Sequence, residues 1–293
     1  MSGWLRKRSK NTGQLASVAL VFVILGVTGL TYSKAHHAME NHDLLKGIDN
    51  KNSAMVVDAL NKGADANTID PKISDFTPSP KGTVQSVVDA LKGKPSQSDE
   101  WTALMSAARE GQSEVVKALL AHKASPNVRN KNGSTALTLA VYGGHTDVVR
   151  MLLEQGADVN LADDTASTPL MLAMRKGNVD IVRMLLDKGA SVDTMDKNGY
   201  TALFQAVDKG HTEAVKLLLS HGAKTEVRSE NVLTPLTQAA HKGGYEIVKA
   251  LIAHGADVNA ASNDGITPLW TAEMSGHPDI VALLKKAGAK EEK

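Results

Sequence analysis

Ten histidines and no cysteine set the side-chain chemistry open to this chain of 293 residues. Without thiols there are no disulfides, thiolate metal sites or cysteine nucleophiles, so imidazoles are the groups best suited to hold a metal or move a proton near neutral pH. His36, His37 and His42 crowd into SKAHHAMENHD and could form a weak metal or pH-sensitive site; the simpler reading is a polar spacer. His145, His211 and His277 recur 66 residues apart. They belong to alternate members of a repeat described below, and neighbouring packed helices lie ~8–10 Å apart, too far for ~2 Å bonds to one ion. His221 and His254 face the same distance. G-x-S-x-G, H-E-x-x-H and phosphate-loop patterns are all missing. The expectation is no catalytic residue, no bound metal and no cofactor: the chain is not an enzyme.

Most polar residues are accounted for by a repeat that must position them. Thr102-Ala103-Leu104, Thr135-Ala136-Leu137, Thr168-Pro169-Leu170, Thr201-Ala202-Leu203, Thr234-Pro235-Leu236 and Thr267-Pro268-Leu269 follow one another at intervals of 33 residues. The same period carries Gly111, Gly144, Gly177, Gly210, Gly243 and Gly276. A Thr whose hydroxyl accepts from exposed N–H groups, followed by Pro at the first helical position, is a helix start. This predicts a short helix over about Thr135 to Tyr142, a break at Gly144, and a second helix whose Val148, Val149, Leu152 and Leu153 share one face. Gly156 closes that helix in the left-handed conformation. Asp196-Lys197-Asn198-Gly199 and Asn263-Asp264-Gly265 predict a tight turn or hairpin finger between units. Aromatics make up only 3%, so the core is Ala, Val, Leu, Ile and Met. No unit of this size buries its apolar face alone; the units must stack. The fold class expected is all-α, a solenoid of helix-turn-helix units with β-hairpin fingers.

The pattern closely resembles the ankyrin repeat through its T-P-L start, the Gly-His pairs at 144–145, 210–211 and 276–277, and G-A-D-V-N at 156–160 and 255–259. It departs in one consistent respect. The His that the family carries after T-P-L is replaced by Met105, Thr138, Met171, Phe204, Thr237 and Trp270, so the hydrogen bonds that this His gives family members across repeats are not expected here. Lys123 stands where Gly would cap a helix, and Ala166 and Val232 where finger glycines sit, which predicts strained turns. Six repeats span 101–289, and 290–293 form a polar tail. Residues 43–69, with Gly63-Ala64-Asp65-Ala66-Asn67, read as an amino-terminal capping repeat. Residues 70–100 read as either a long finger carrying one helix or a degenerate repeat.

At the amino end, a basic segment over 1–14 precedes LASVALVFVILGVTGLTY at 15–32, 18 residues without charge. A helix of that length spans about 27 Å, enough for a signal anchor across the ~30 Å hydrocarbon core. The positive flank keeps residues 1–14 cytoplasmic and sends the repeats to the periplasm or exterior. Ser33-Lys34-Ala35 offers a signal-peptidase cut as the alternative, which would make the protein a secreted effector. Residues 33–42 are the spacer. Apart from four basic residues in the first ten, Lys and Arg number 29 against 32 Asp and Glu, so no nucleic-acid partner is expected.

What resembles a generic scaffold is specialised where repeats differ. One such row is Arg109, Tyr142, Arg175, Asp208, His241 and Met274; a second is Trp101, Ser134, Ser167, Tyr200, Leu233 and Ile266. The resemblance implies that these rows line a concave groove that binds a protein. Partner-binding residues are expected to be Trp101, Arg109, Tyr142, Arg175, Tyr200, Asp208, His241 and Met274, on a monomeric interaction scaffold. A metal- or small-molecule-binding accessory to a redox enzyme is the alternative from another class.

Overall fold

The computed structural model describes residues 29–70, 101–227 and 233–291. Two compact units divide the chain, residues 1–103 and 104–293.

In the first unit, α1 (Gly29–Asp49) packs against α2 (Ser53–Asn61). Leu44, Leu45 and Ile48 of α1 and Val56, Ala59 and Leu60 of α2 are buried. The approach is close at Gly47, where a Cβ would lie 2.9 Å from Val56 Cγ2. Asn52 caps α2 by accepting from the Met55 N–H at 3.1 Å, and Asn41 accepts from the Asp65 N–H at 2.7 Å. Residues 33–42, expected as a spacer, lie within α1. Strands β1 (Ile69–Asp70) and β2 (Trp101–Thr102) pair antiparallel, with Ile69 opposite Thr102 and Asp70 opposite Trp101. The two ends of the 70–100 segment therefore adjoin; residues 71–100 themselves lie outside the described residues, as does the apolar run up to residue 28. Among the described residues no helix is long and apolar enough to cross a membrane.

The second unit is a stack of helix pairs. After α3 (Ala103–Arg109, whose first residue belongs to the first unit) and α4 (Ser113–Ala121) come α5 (Ala136–Gly143) with α6 (Thr146–Glu154), and α7 (Pro169–Met174) with α8 (Val179–Asp187). Then follow α9 (Ala202–Lys209) with α10 (Thr212–Ser220), α11 (Pro235–Lys242) with α12 (Tyr245–Ala253), and α13 (Pro268–Met274) with α14 (Pro278–Lys286). Thr135, Thr168, Thr201, Thr234 and Thr267 each cap a first helix by accepting from the N–H three residues on. The first four of these hydroxyls are buried, where an unmade bond would be costly. Second helices bury one stripe, Val148, Val149, Leu152 and Leu153 in α6 and Ile181, Val182, Leu185 and Leu186 in α8. From α7 onward the first helices pack more closely on one another than the second helices do, which their alanines permit.

Side chains at the position after T-P-L work within their own repeat. Thr138 donates to the Thr135 carbonyl and accepts from its N–H, completing a capping box, and Thr237 Oγ1 lies 3.0 Å from Thr234 Oγ1. Met105 and Met171 are buried, and Phe204 stacks on Tyr200 with centroids 5.0 Å apart. One regular set of bonds between repeats comes from the end of the G-A-D-V-N motif. Asn127, Asn160, Asp193, Glu226 and Asn259 accept from the N–H groups of Asp158, Ser191, Lys224, Asp257 and Lys290 at 2.8–3.0 Å.

Among the described residues the fingers of this unit are tight turns rather than strand ladders. Asn130, Asp163, Asp196 and Ser262 each accept from two N–H groups of the following four residues. Closing a turn within five residues leaves too few for a ladder. Adjacent fingers are joined by single backbone bonds, as from the Asp164 N–H to the Asn132 carbonyl at 3.0 Å. Lys123 and Ala166 adopt φ of 64° and 61°, left-handed conformations that cost a residue with Cβ about 1–2 kcal/mol. Val232 lies outside the described residues.

Candidate binding surface

The residues of the first variable row lie at, or within one residue of, the ends of the first helices. Arg109, Tyr142, Arg175, His241 and Met274 are exposed, and Asp208 is half-buried. Tyr142 is 52% and Met274 68% accessible, high for apolar side chains, whose burial is worth roughly 25 cal/mol per Å². Neighbouring repeats are coupled along this edge. The Arg175 guanidinium sits 5.3 Å from the centroid of the Tyr142 ring, a cation–π arrangement. Asp208 lies 3.2 Å from the ammonium groups of both Lys209 and Lys242 and accepts from Gln238 Nε2 at 2.9 Å. Burial by itself would raise the Asp208 pKa, but hydrogen bonds from Lys209 and Lys242 outweigh it and hold the carboxyl below the ordinary range. His241 Nδ1 is 3.1 Å from Ser275 Oγ.

The second row is less accessible. Ser134, Ser167, Tyr200, Leu233 and Ile266 are half-buried at the finger bases, and the Tyr200 ring is engaged by Phe204. Trp101, half-buried in β2, belongs to the first unit. Two features stand outside the rows expected from sequence. Lys176, Lys209 and Lys242, one residue beyond the first row, are exposed and recur at the repeat period; their signal in the sequence is that regularity, not variability. Trp270 is 42% exposed, whereas its equivalents Met105, Thr138, Met171, Phe204 and Thr237 are buried.

The histidines of the Gly-His pairs pack between consecutive repeats. His145 Nε2 lies 2.9 Å from the Arg109 carbonyl and His277 Nε2 3.2 Å from that of His241. Rings of His145, His211 and His277 fill the space where Gly111, Gly177 and Gly243 lack a side chain; the buried His211 Nε2 has no partner there. His221 and His254 bond the Leu217 and Ala250 carbonyls. His42 is half-buried in α1, and the side chains of His36 and His37 lie outside the described residues. Among the described residues no group of three or more His, Asp or Glu side chains could hold a metal ion.

Comparison with known proteins agrees with the repeat geometry. The family model described as ankyrin repeats, three copies, matches residues 79–163, 156–229 and 223–293, an unbroken run over well more than half the chain. The crystal structure of an ankyrin repeat domain from Acinetobacter baumannii is 35% identical, with a TM-score of 0.61; the match covers 64% of this chain and 98% of that one. No curated protein matches. The family model thus covers all the stacked helix pairs of the second unit: the chain belongs to the ankyrin-repeat family.

Proposed function

We propose that this protein is a non-catalytic scaffold that captures a protein partner along the groove edge formed by the ends of its first helices. The observation that carries this is the row Arg109, Tyr142, Arg175, Asp208, His241 and Met274: it changes from repeat to repeat while the Thr and Leu of each helix start do not, and it holds an exposed Tyr under an Arg. Tyr and Arg are favoured hot-spot residues. Ankyrin arrays suit protein–protein binding, and the fold dictates nothing at these positions that the partner would not.

The charge-free run at 15–32 behind a basic segment supports a signal anchor that holds the repeats on the non-cytoplasmic side of a membrane. Mass spectrometry of the amino terminus in membrane and soluble fractions distinguishes this from a cut after Ala35. For the binding reading, Tyr142→Ala with Arg175→Ala is expected to reduce crosslinking capture of the native partner by about tenfold or more, the effect of losing two hot-spot side chains. The melting temperature should change little, because both side chains are exposed and an exposed cation–π pair is worth only about 0.5–1 kcal/mol. Capture at the level of the unaltered protein would contradict the assignment.

A further inference from the structure

In three consecutive repeats the two sides of the stack differ in charge. In the three repeats between residues 168 and 254, the first helices with the two residues after α7 carry Arg175, Lys176, Lys209 and Lys242 against Asp208, four cations to one anion. The second helices of the same repeats, with Lys188 included, carry Asp180, Asp187, Glu213 and Glu246 against Arg183, Lys188, Lys216 and Lys249, four to four. The second-helix charges also pair locally, as in Lys216 to Glu213 at 2.8 Å. A base at the end of a helix is favoured by the helix dipole, which accounts for one cation per first helix. It accounts neither for Arg175 beside Lys176 nor for the shortage of matching acids. Lys176 Nζ donates to the neutral Gly143 carbonyl at 3.0 Å and has no carboxylate paired to it among the described residues, and Lys209 and Lys242 share the Asp208 carboxylate.

We propose that the partner of this surface presents an extended acidic segment, with carboxylates about every third residue, lying along Arg175, Lys176, Lys209 and Lys242. The inference rests on the scaffold reading above and adds the chemistry of what is bound. Neighbouring first helices stand ~8–10 Å apart, and an extended strand advances ~3.3 Å per residue, so every third side chain meets the next repeat. A strand of duplex DNA carries a charge about every 3.4 Å of helix axis and would meet one such cation for roughly three phosphates, with Asp208 set among them.

The test uses the full chain and a fluorescein-labelled peptide of about twelve residues, with Glu at every third position and Ser or Ala between, followed by fluorescence anisotropy. Binding is expected to weaken as NaCl rises from about 50 to about 200 mM, as exposed charges are screened. Lys209→Gln with Lys242→Gln is expected to weaken it about tenfold, whereas Lys216→Gln with Lys249→Gln on the second helices leaves it unchanged. The salt dependence of the unaltered chain is a readout that needs no variant to fold. No binding, equal loss from both pairs, or tighter binding of a poly-dT oligonucleotide overturns the proposal. If the peptide fails while Tyr142→Ala with Arg175→Ala still abolishes native capture, the acidic partner falls and the scaffold stands. If capture survives that variant while the peptide binds as described, the reverse holds.

Discussion

Leu185→Ala is expected to destabilise the array by about 2–5 kcal/mol, the range for a buried leucine whose site collapses only in part. Leu185 is fully buried in α8, in the interior of the stack, with α6 and α10 on either side. Stability in a repeat array is close to a sum of unit terms and nearest-neighbour interfaces. The loss should therefore concentrate locally: urea unfolding reports the total, and hydrogen exchange should show the amides of α7 and α8 losing protection first. A total loss below about 1 kcal/mol would show that Leu185 is not part of a continuous packed spine.

Gly177→Ala tests how consecutive repeats are stitched. Gly177 has φ of +66°, and a Cβ there would lie 2.5–2.6 Å from the His211 ring of the next repeat. Two penalties add: left-handed backbone strain of about 1–2 kcal/mol and overpacking of about 1–3 kcal/mol, together roughly 2–5 kcal/mol. Gly210 is the internal control, because it has φ of +73° with nothing within 4 Å of a built Cβ. Gly210→Ala should carry the strain alone, about 1–2 kcal/mol. Thermal or urea melts of the two variants give the comparison. Equal losses would mean that the His211 ring moves aside at no cost and does not join the repeats.

The repeat was legible because its signals are local and redundant. Each Thr and the Leu two residues after it recur at the same spacing, and the structure buries all six Leu and makes the five Thr from Thr135 to Thr267 helix caps. The strained turns at Lys123 and Ala166 could be read as well, since a residue with Cβ stood where the period demanded Gly. What the residues did not disclose was which polar groups act across repeats. Asn127 and Asn160 look like ordinary turn formers, yet each accepts from an N–H 31 residues ahead, and such a bond exists only once units stack. For the same reason the Tyr142 and Arg175 pairing follows from adjacency of rows, whereas Tyr200, drawn from the same kind of variability, spends its ring on Phe204. Variation between repeats marks positions the fold leaves open; it does not say which of them face outward. Lys176, Lys209 and Lys242 show the converse, since a residue that repeats can still be exposed.

Site-specific photocrosslinking tests the central claim most directly, with p-benzoyl-phenylalanine in place of Tyr142 or His241 on the first-helix edge, or of Arg150 or Arg183 on the second helices, all exposed in the uncomplexed chain. Irradiation in native membranes is predicted to give a discrete higher-mass protein adduct from Tyr142 and His241 positions and none from Arg150 and Arg183. Adducts from Arg150 and Arg183 with none from Tyr142 and His241 would contradict the account.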